Sequence, residues 1–205
     1  MTIFRTLAAA AALAAAPVPA AWAQSGPPPG CTEAQHDDFD FWLGTWNVYA
    51  PDDGPYQGRN TIVKSQGGCL ITERWEGAGG STGESLNAYD PLAGAWRQVW
   101  VSPGNFIDYT GGLDAAGTMV LEGEIFYPGN GTRAAFRGSW TPLADGTVRQ
   151  HFQQQGADGE WTDWFTGIYV RVEEDPRADE AEAARADVVL DARRIPLWPP
   201  APAKS

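Results

Sequence analysis

Nine turn signals, recurring at near-regular intervals, constrain this chain more than any other feature. They are Pro51-Asp52-Asp53-Gly54-Pro55, Gly67-Gly68, the stretch 77–83, Asp90-Pro91-Leu92-Ala93-Gly94, Ser102-Pro103-Gly104-Asn105, Asp114-Ala115-Ala116-Gly117, Pro128-Gly129-Asn130-Gly131, Ala144-Asp145-Gly146 and Ala157-Asp158-Gly159. Each supplies the glycine or pre-bent proline that a tight connection requires. Between them lie ten runs with the alternation of strands: 41–50, 58–66, 69–76, 84–89, 95–101, 106–113, 118–127, 132–141, 147–155 and 161–172. No helix-length segment interrupts the series, so the expected fold class is all-β, a ten-stranded antiparallel up-and-down meander. Closing that meander on itself removes both edges, and a calycin-like barrel is the expected result; a two-sheet sandwich is the alternative.

The first run opens on Phe39-Asp40-Phe41-Trp42-Leu43-Gly44-Thr45-Trp46-Asn47-Val48. If this is strand throughout, Trp42, Gly44, Trp46 and Val48 share one face. Gly44 then leaves room for another group to close over the indoles, and Trp46 plugs one barrel end.

Residues 1–23 have the pattern of a cleaved secretory leader: Arg5, an apolar stretch over 7–16, and Ala21-Trp22-Ala23 before Gln24. The apolar stretch is too short to span a bilayer, which predicts a periplasmic or secreted protein without membrane insertion. A formal charge of −12 suits neither nucleic acid nor anionic lipid. In an oxidising compartment the two cysteines, Cys31 and Cys69, are expected to pair. Residues 24–38 form an N-terminal segment, with one helical turn near 32–38 that leaves His36 exposed. The barrel covers 39–172. Residues 173–205 read as one mostly exposed helix, starting near Asp175-Pro176 and ending before Pro196, followed by a proline-rich tail.

With Gly44-Thr45-Trp46 on its first strand and Arg171 near the end of its last, the chain resembles the calycin barrels: lipocalins, fatty-acid-binding proteins and nitrobindin-like proteins. The resemblance implies that Arg171 covers Trp46 at the closed end. Phe39-Asp40-Phe41-Trp42-Leu43-Gly44, Glu73-Arg74-Trp75, Ser85-Leu86-Asn87-Ala88-Tyr89-Asp90, Trp96-Arg97-Gln98-Val99-Trp100-Val101 and Val148-Arg149-Gln150 are together similar to the secreted bacterial DUF1579 (lipocalin-like) family. That likeness implies a barrel and export, and brings no activity with it.

The candidate site comes from strand parity. Glu73 and Trp75, Ser85, Asn87 and Tyr89, Trp96, Gln98 and Trp100, and Gln150, Phe152 and Gln154 fall on one face of successive strands. A purely structural interior is richer in Val, Ile and Leu. Polar groups among indoles suit a cavity for a small molecule with flat apolar and hydrogen-bonding faces, so Glu73, Trp75, Asn87, Tyr89, Trp96, Gln98, Trp100 and Gln150 are the expected ligand-binding residues. The alternative interior is one filled by its own side chains. An enzyme using Glu73 as acid or base is the other reading, with Asp108 or Glu124 as second carboxylate; a structural Glu73 would pair with Arg137 or Arg149. No cofactor is expected, haem on His151 being the alternative. His36 with Asp37, Asp38 and Asp40 reads as a solvated acidic turn rather than a cation site. Nucleotide-binding glycine loops, Gly-x-Ser-x-Gly and His-Glu-x-x-His are absent from the sequence.

Overall fold

In the computed structural model, which describes residues 30–192 with side chains to 186, ten antiparallel strands close into a barrel. They are β1 (Gly44–Tyr49), β2 (Tyr56–Ser65), β3 (Leu70–Gly77), β4 (Thr82–Asp90), β5 (Ala95–Val101), β6 (Phe106–Leu113), β7 (Met119–Tyr127), β8 (Thr132–Pro142), β9 (Val148–Gln155) and β10 (Trp161–Arg171). Each strand pairs with its sequence neighbour, and β1 pairs with β10 from Trp46 opposite Arg171 to Tyr49 opposite Ile168. Every strand therefore has both edges occupied, which settles barrel over sandwich. Residues 1–23, expected to be a leader, residues 24–29 and the proline-rich tail lie outside the described residues.

Burial alternates along the strands as the pleat demands. In β4, Gly83, Ser85 and Asn87 are buried while Thr82, Glu84, Leu86 and Ala88 are exposed. The outer face carries ion pairs such as Arg97–Asp108 and Arg133–Glu124.

The opening stretch departs from a continuous strand. Asp40–Trp42 is a single 3-10 turn, closed by Trp42 N–H donating to Phe39 O and Leu43 N–H to Asp40 O, and β1 starts only at Gly44. Gly44 takes φ of +132°, outside the range favoured by residues with a Cβ, and this is where the chain swings from the turn into the wall. Trp42 is thus buried as part of a plug rather than as a strand residue. Phe39 stacks on it at 4.8 Å, and Trp140 meets both rings, at 5.2 Å from Phe39 and 5.6 Å from Trp42. These three aromatics, all fully buried, fill one end of the barrel.

Trp46 completes that end. Its indole N–H donates to Trp42 O at 2.9 Å, and the Arg171 guanidinium lies 4.2 Å from its ring centroid while donating to Leu43 O. The space for Arg171 exists because position 44 is glycine: a Cβ there would lie 2.5 Å from Nη1.

The preceding turn, Ala34–Asp37, is anchored by the Cys31–Cys69 disulfide. His36 is buried, not exposed as the sequence reading had it, and meets the Tyr89 ring edge-on at 5.2 Å. Lys64 holds this segment to the wall, donating to Asp37, Asp40 and the His36 carbonyl. The charge opposite these acids is therefore a lysine of the wall.

A helix, α1 (Ala178–Ala192), follows the barrel. Among its described side chains Ala181 is the one fully buried, against Tyr49 and Tyr56. Asp175 latches the approach to α1, accepting from Asn47 Nδ2 and Tyr49 OH at 2.7 Å each. No described helix is long and apolar enough to cross a membrane.

Candidate functional site

The end opposite the aromatic plug opens into a cavity of about 420 Å³. Its upper wall is aromatic: Trp75, Trp100, Phe152, Trp164 and Phe165, with Ile107 between them. Glycines set the position of four of these rings. A Cβ at Gly58 would lie 2.6 Å from the Trp75 ring, at Gly83 2.2 Å from Trp100, at Gly138 2.6 Å from Phe152, and at Gly167 2.9 Å from Phe165. Each glycine leaves its ring room against the neighbouring backbone that a Cβ would take away.

The indole N–H groups are turned to the rim. Trp75 donates to Ser81 Oγ at 3.3 Å, Trp100 to Asn105 Oδ1 at 3.0 Å and Trp164 to Tyr127 OH at 3.1 Å. Ser81 and Asn105 belong to the β3–β4 and β5–β6 connections, so the hairpin tips hold the two tryptophans in place.

The deep end of the cavity is polar. Side chains from seven strands form a continuous belt. Tyr169 OH donates to Gln150 Oε1 at 2.5 Å and accepts from Asn60 Nδ2 at 3.0 Å. Asn60 Nδ2 also donates to Glu73 Oε1, and Ser85 Oγ to Glu73 Oε2, both at 2.7 Å. Asn87 Nδ2 donates to Ser85 Oγ, Gln98 Nε2 to Asn87 Oδ1, and Tyr109 OH to Gln98 Oε1. Strand register produces this order, since Glu73 lies opposite Ser85, Asn87 opposite Gln98, and Gln98 opposite Tyr109.

Glu73 is the one carboxylate in the belt. It is 5% exposed and its ion-pairing candidates are elsewhere: Arg137 stacks on Trp161 at 4.2 Å on the outer face, and Arg149 also lies on the outward parity of β9. Burial lifts its pKa to about 7, against the opposing pull of the hydrogen bonds from Asn60 and Ser85. Burial and the nearby Glu73 charge push Tyr109 and Tyr169 well above the ordinary phenol value.

Five of the eight expected ligand-binding residues, Glu73, Trp75, Gln98, Trp100 and Gln150, line the cavity. Asn87 stands behind them, tied to Ser85 and Gln98 and to Ile71 O. Tyr89 and Trp96 face inward as their parity requires, but at the closed end; Trp96 donates to Gln35 O, and its ring meets Phe39 at 5.8 Å. Parity gives the face of a strand but not the height along it, and the N-terminal plug occupies that height. Asn60, Tyr109 and Tyr169 belong to the belt without having been singled out from the sequence. Asn60 was legible in principle, as a polar residue on the inward parity of Tyr56, Gly58 and Ile62.

The remaining candidates face outward. Asp108 pairs with Arg97 and Glu124 with Arg133 on the barrel exterior, so neither stands beside Glu73 as a second carboxylate. His151 is on the outer face too, 2.8 Å from Asp163, and is directed away from the lumen, where a haem would need it. No set of three or more metal-ligating side chains converges among the described residues.

These features define a closed ten-stranded antiparallel barrel, consistent with the calycin-like class, with one plugged end and one open end. No family model matches the chain, and no curated protein is similar to it in sequence at a significant level.

Proposed function

We propose that this protein binds a small molecule in its barrel without transforming it, as an exported protein of the lipocalin-like kind. The resemblance of its Phe39–Gly44 and Trp96–Val101 stretches to the secreted DUF1579 family bears on the barrel and on export, not on binding. One observation carries it: an open, aromatic-walled cavity of about 420 Å³ with a hydrogen-bonding floor. That volume is in the range of small-molecule sites, and the wall offers flat apolar surface while the floor offers direction. The Cys31–Cys69 disulfide is what an oxidising compartment permits, and so supports export.

Titration with Nile red, a neutral flat dye, tests the reading. Saturable one-to-one binding with a blue-shifted emission is expected. Trp100→Ala should weaken it about three- to tenfold, the worth of one aromatic contact. Absence of saturable binding by the intact chain, of this dye and of smaller aromatic molecules alike, would overturn the reading.

The second reading is an enzyme with Glu73 as acid or base, favoured by a pKa of about 7. Asp108 and Glu124 face outward, so neither supplies the second carboxylate that a glycosidase-like version of that chemistry needs.

A further inference from the structure

The belt at the cavity floor has an imbalance of charge. Glu73 is buried at the base of an aromatic cup, and no Lys, Arg or His is among the described residues lining that cavity. Asn60 and Ser85 each satisfy one carboxylate oxygen. A carboxylate offers about four acceptor positions, so two remain. The titratable groups that face Glu73 from the surrounding strands are Tyr109 and Tyr169, and both stay neutral because their pKa values are raised. Gln57, also in the cavity wall, has a buried Oε1 with no partner among the described residues. Glu73 and Gln57 Oε1 thus keep acceptor positions that no described donor fills, and a negative charge there has no cation among the described lining residues to offset it. A buried charge in that position requires either a proton or an opposite charge.

Resting on the reading of the barrel as a small-molecule binder, we propose that its ligand is a flat aromatic or polycyclic molecule bearing a protonated amine, with Glu73 as the counter-ion. The ammonium supplies N–H donors to the free acceptor positions of Glu73 and the charge that the cavity lacks. The faces of Trp75, Trp100 and Phe165 take the apolar body and favour a cation near them. A ligand carboxylate would meet Glu73 as a like charge with no compensating base, so the site selects against fatty or aromatic acids. Recognition is linked to pH through Glu73, which must be ionised to act as counter-ion.

Three ligands sharing one ring system separate the possibilities: 2-naphthylmethylamine, 2-naphthylmethanol and 2-naphthoate, titrated calorimetrically against the intact chain. At about pH 8 the amine should bind about tenfold or more tightly than the alcohol, as expected for a charge-assisted hydrogen bond, and the acid weakest. The amine's advantage should vanish in Glu73→Gln. In the unmodified protein, amine affinity should fall about tenfold or more from pH 8 to about pH 5.5 while the alcohol's stays level, since the amine itself keeps its proton over that range. This second measurement needs no variant. Alcohol or acid matching the amine, or a level pH profile for the amine, would overturn the charge assignment while leaving the cavity reading in place. If all three fail to bind and Nile red also fails, both readings fall; if Nile red alone binds, only the amine proposal does.

Discussion

Glu73 carries most of the consequences at the scale of a single residue. Its ordinary pKa of 4.5 rises to about 7 in the folded barrel. Between these values the folded state holds a proton that the unfolded chain has released. The associated stability is fully present below about pH 4.5 and is lost as pH rises through about 7, by about 3 kcal/mol at most. Glu73→Gln keeps the shape and removes the titration. Urea unfolding midpoints for the protein and this variant should therefore diverge from about pH 5 to about pH 8, the variant becoming relatively more stable. Curves that stay parallel would mean that Glu73 is hydrated and not buried in the sense described.

At the scale of elements, the N-terminal segment is the least regular part of the chain and closes one end of the barrel. It is held by the disulfide, by Lys64 reaching Asp37 and Asp40, and by the Phe39–Trp42–Trp140 cluster. Cys31 and Cys69 are 38 residues apart, and closing a loop of that length stabilises by about 4 kcal/mol if the chain-entropy account applies. Denatured but unreduced protein should show no free thiol. Reduction should lower the unfolding midpoint while leaving the far-ultraviolet dichroism of the barrel intact. Two titratable thiols before reduction would refute the pairing.

For the whole molecule, the barrel divides its labour between its ends. The plugged end holds Trp46, fully buried and covered by Arg171, and the open end holds Trp100 at the cavity wall. Trp46→Ala should cost about 3–5 kcal/mol by emptying a large core site, yet leave Nile red affinity unchanged in the folded fraction. Trp100→Ala should do the reverse, weakening the dye with a smaller loss of melting temperature. A shared loss of both properties in Trp46→Ala would show that the two ends are not independent.

The strand count, the order of the strands and the sharing of one face by residues two apart were determined by the sequence alone. They depend on local chemistry: turn residues at each connection and a period of two along each run. That Trp96, Gln98 and Trp100 share a face follows from that period, and the cost of leaving their indoles in water argued for the inward one. The height of each side chain was decided by the tertiary structure. Tyr89 and Trp96 share parity with Trp100 but lie under the N-terminal plug, because barrel register and the turn at Phe39–Trp42 are set by contacts between distant residues. The belt is in part a tertiary product: Asn60 meets Glu73 across the neighbouring strands β2 and β3, but reaches Tyr169 only once β1 has paired with β10. Among the described residues, the lack of a base beside Glu73 is a property of the closed barrel, since β8 and β9 turn Arg137 and Arg149 outward. A shift of one residue in pairing would have brought either guanidinium into the lumen and removed the charge that now faces the cavity.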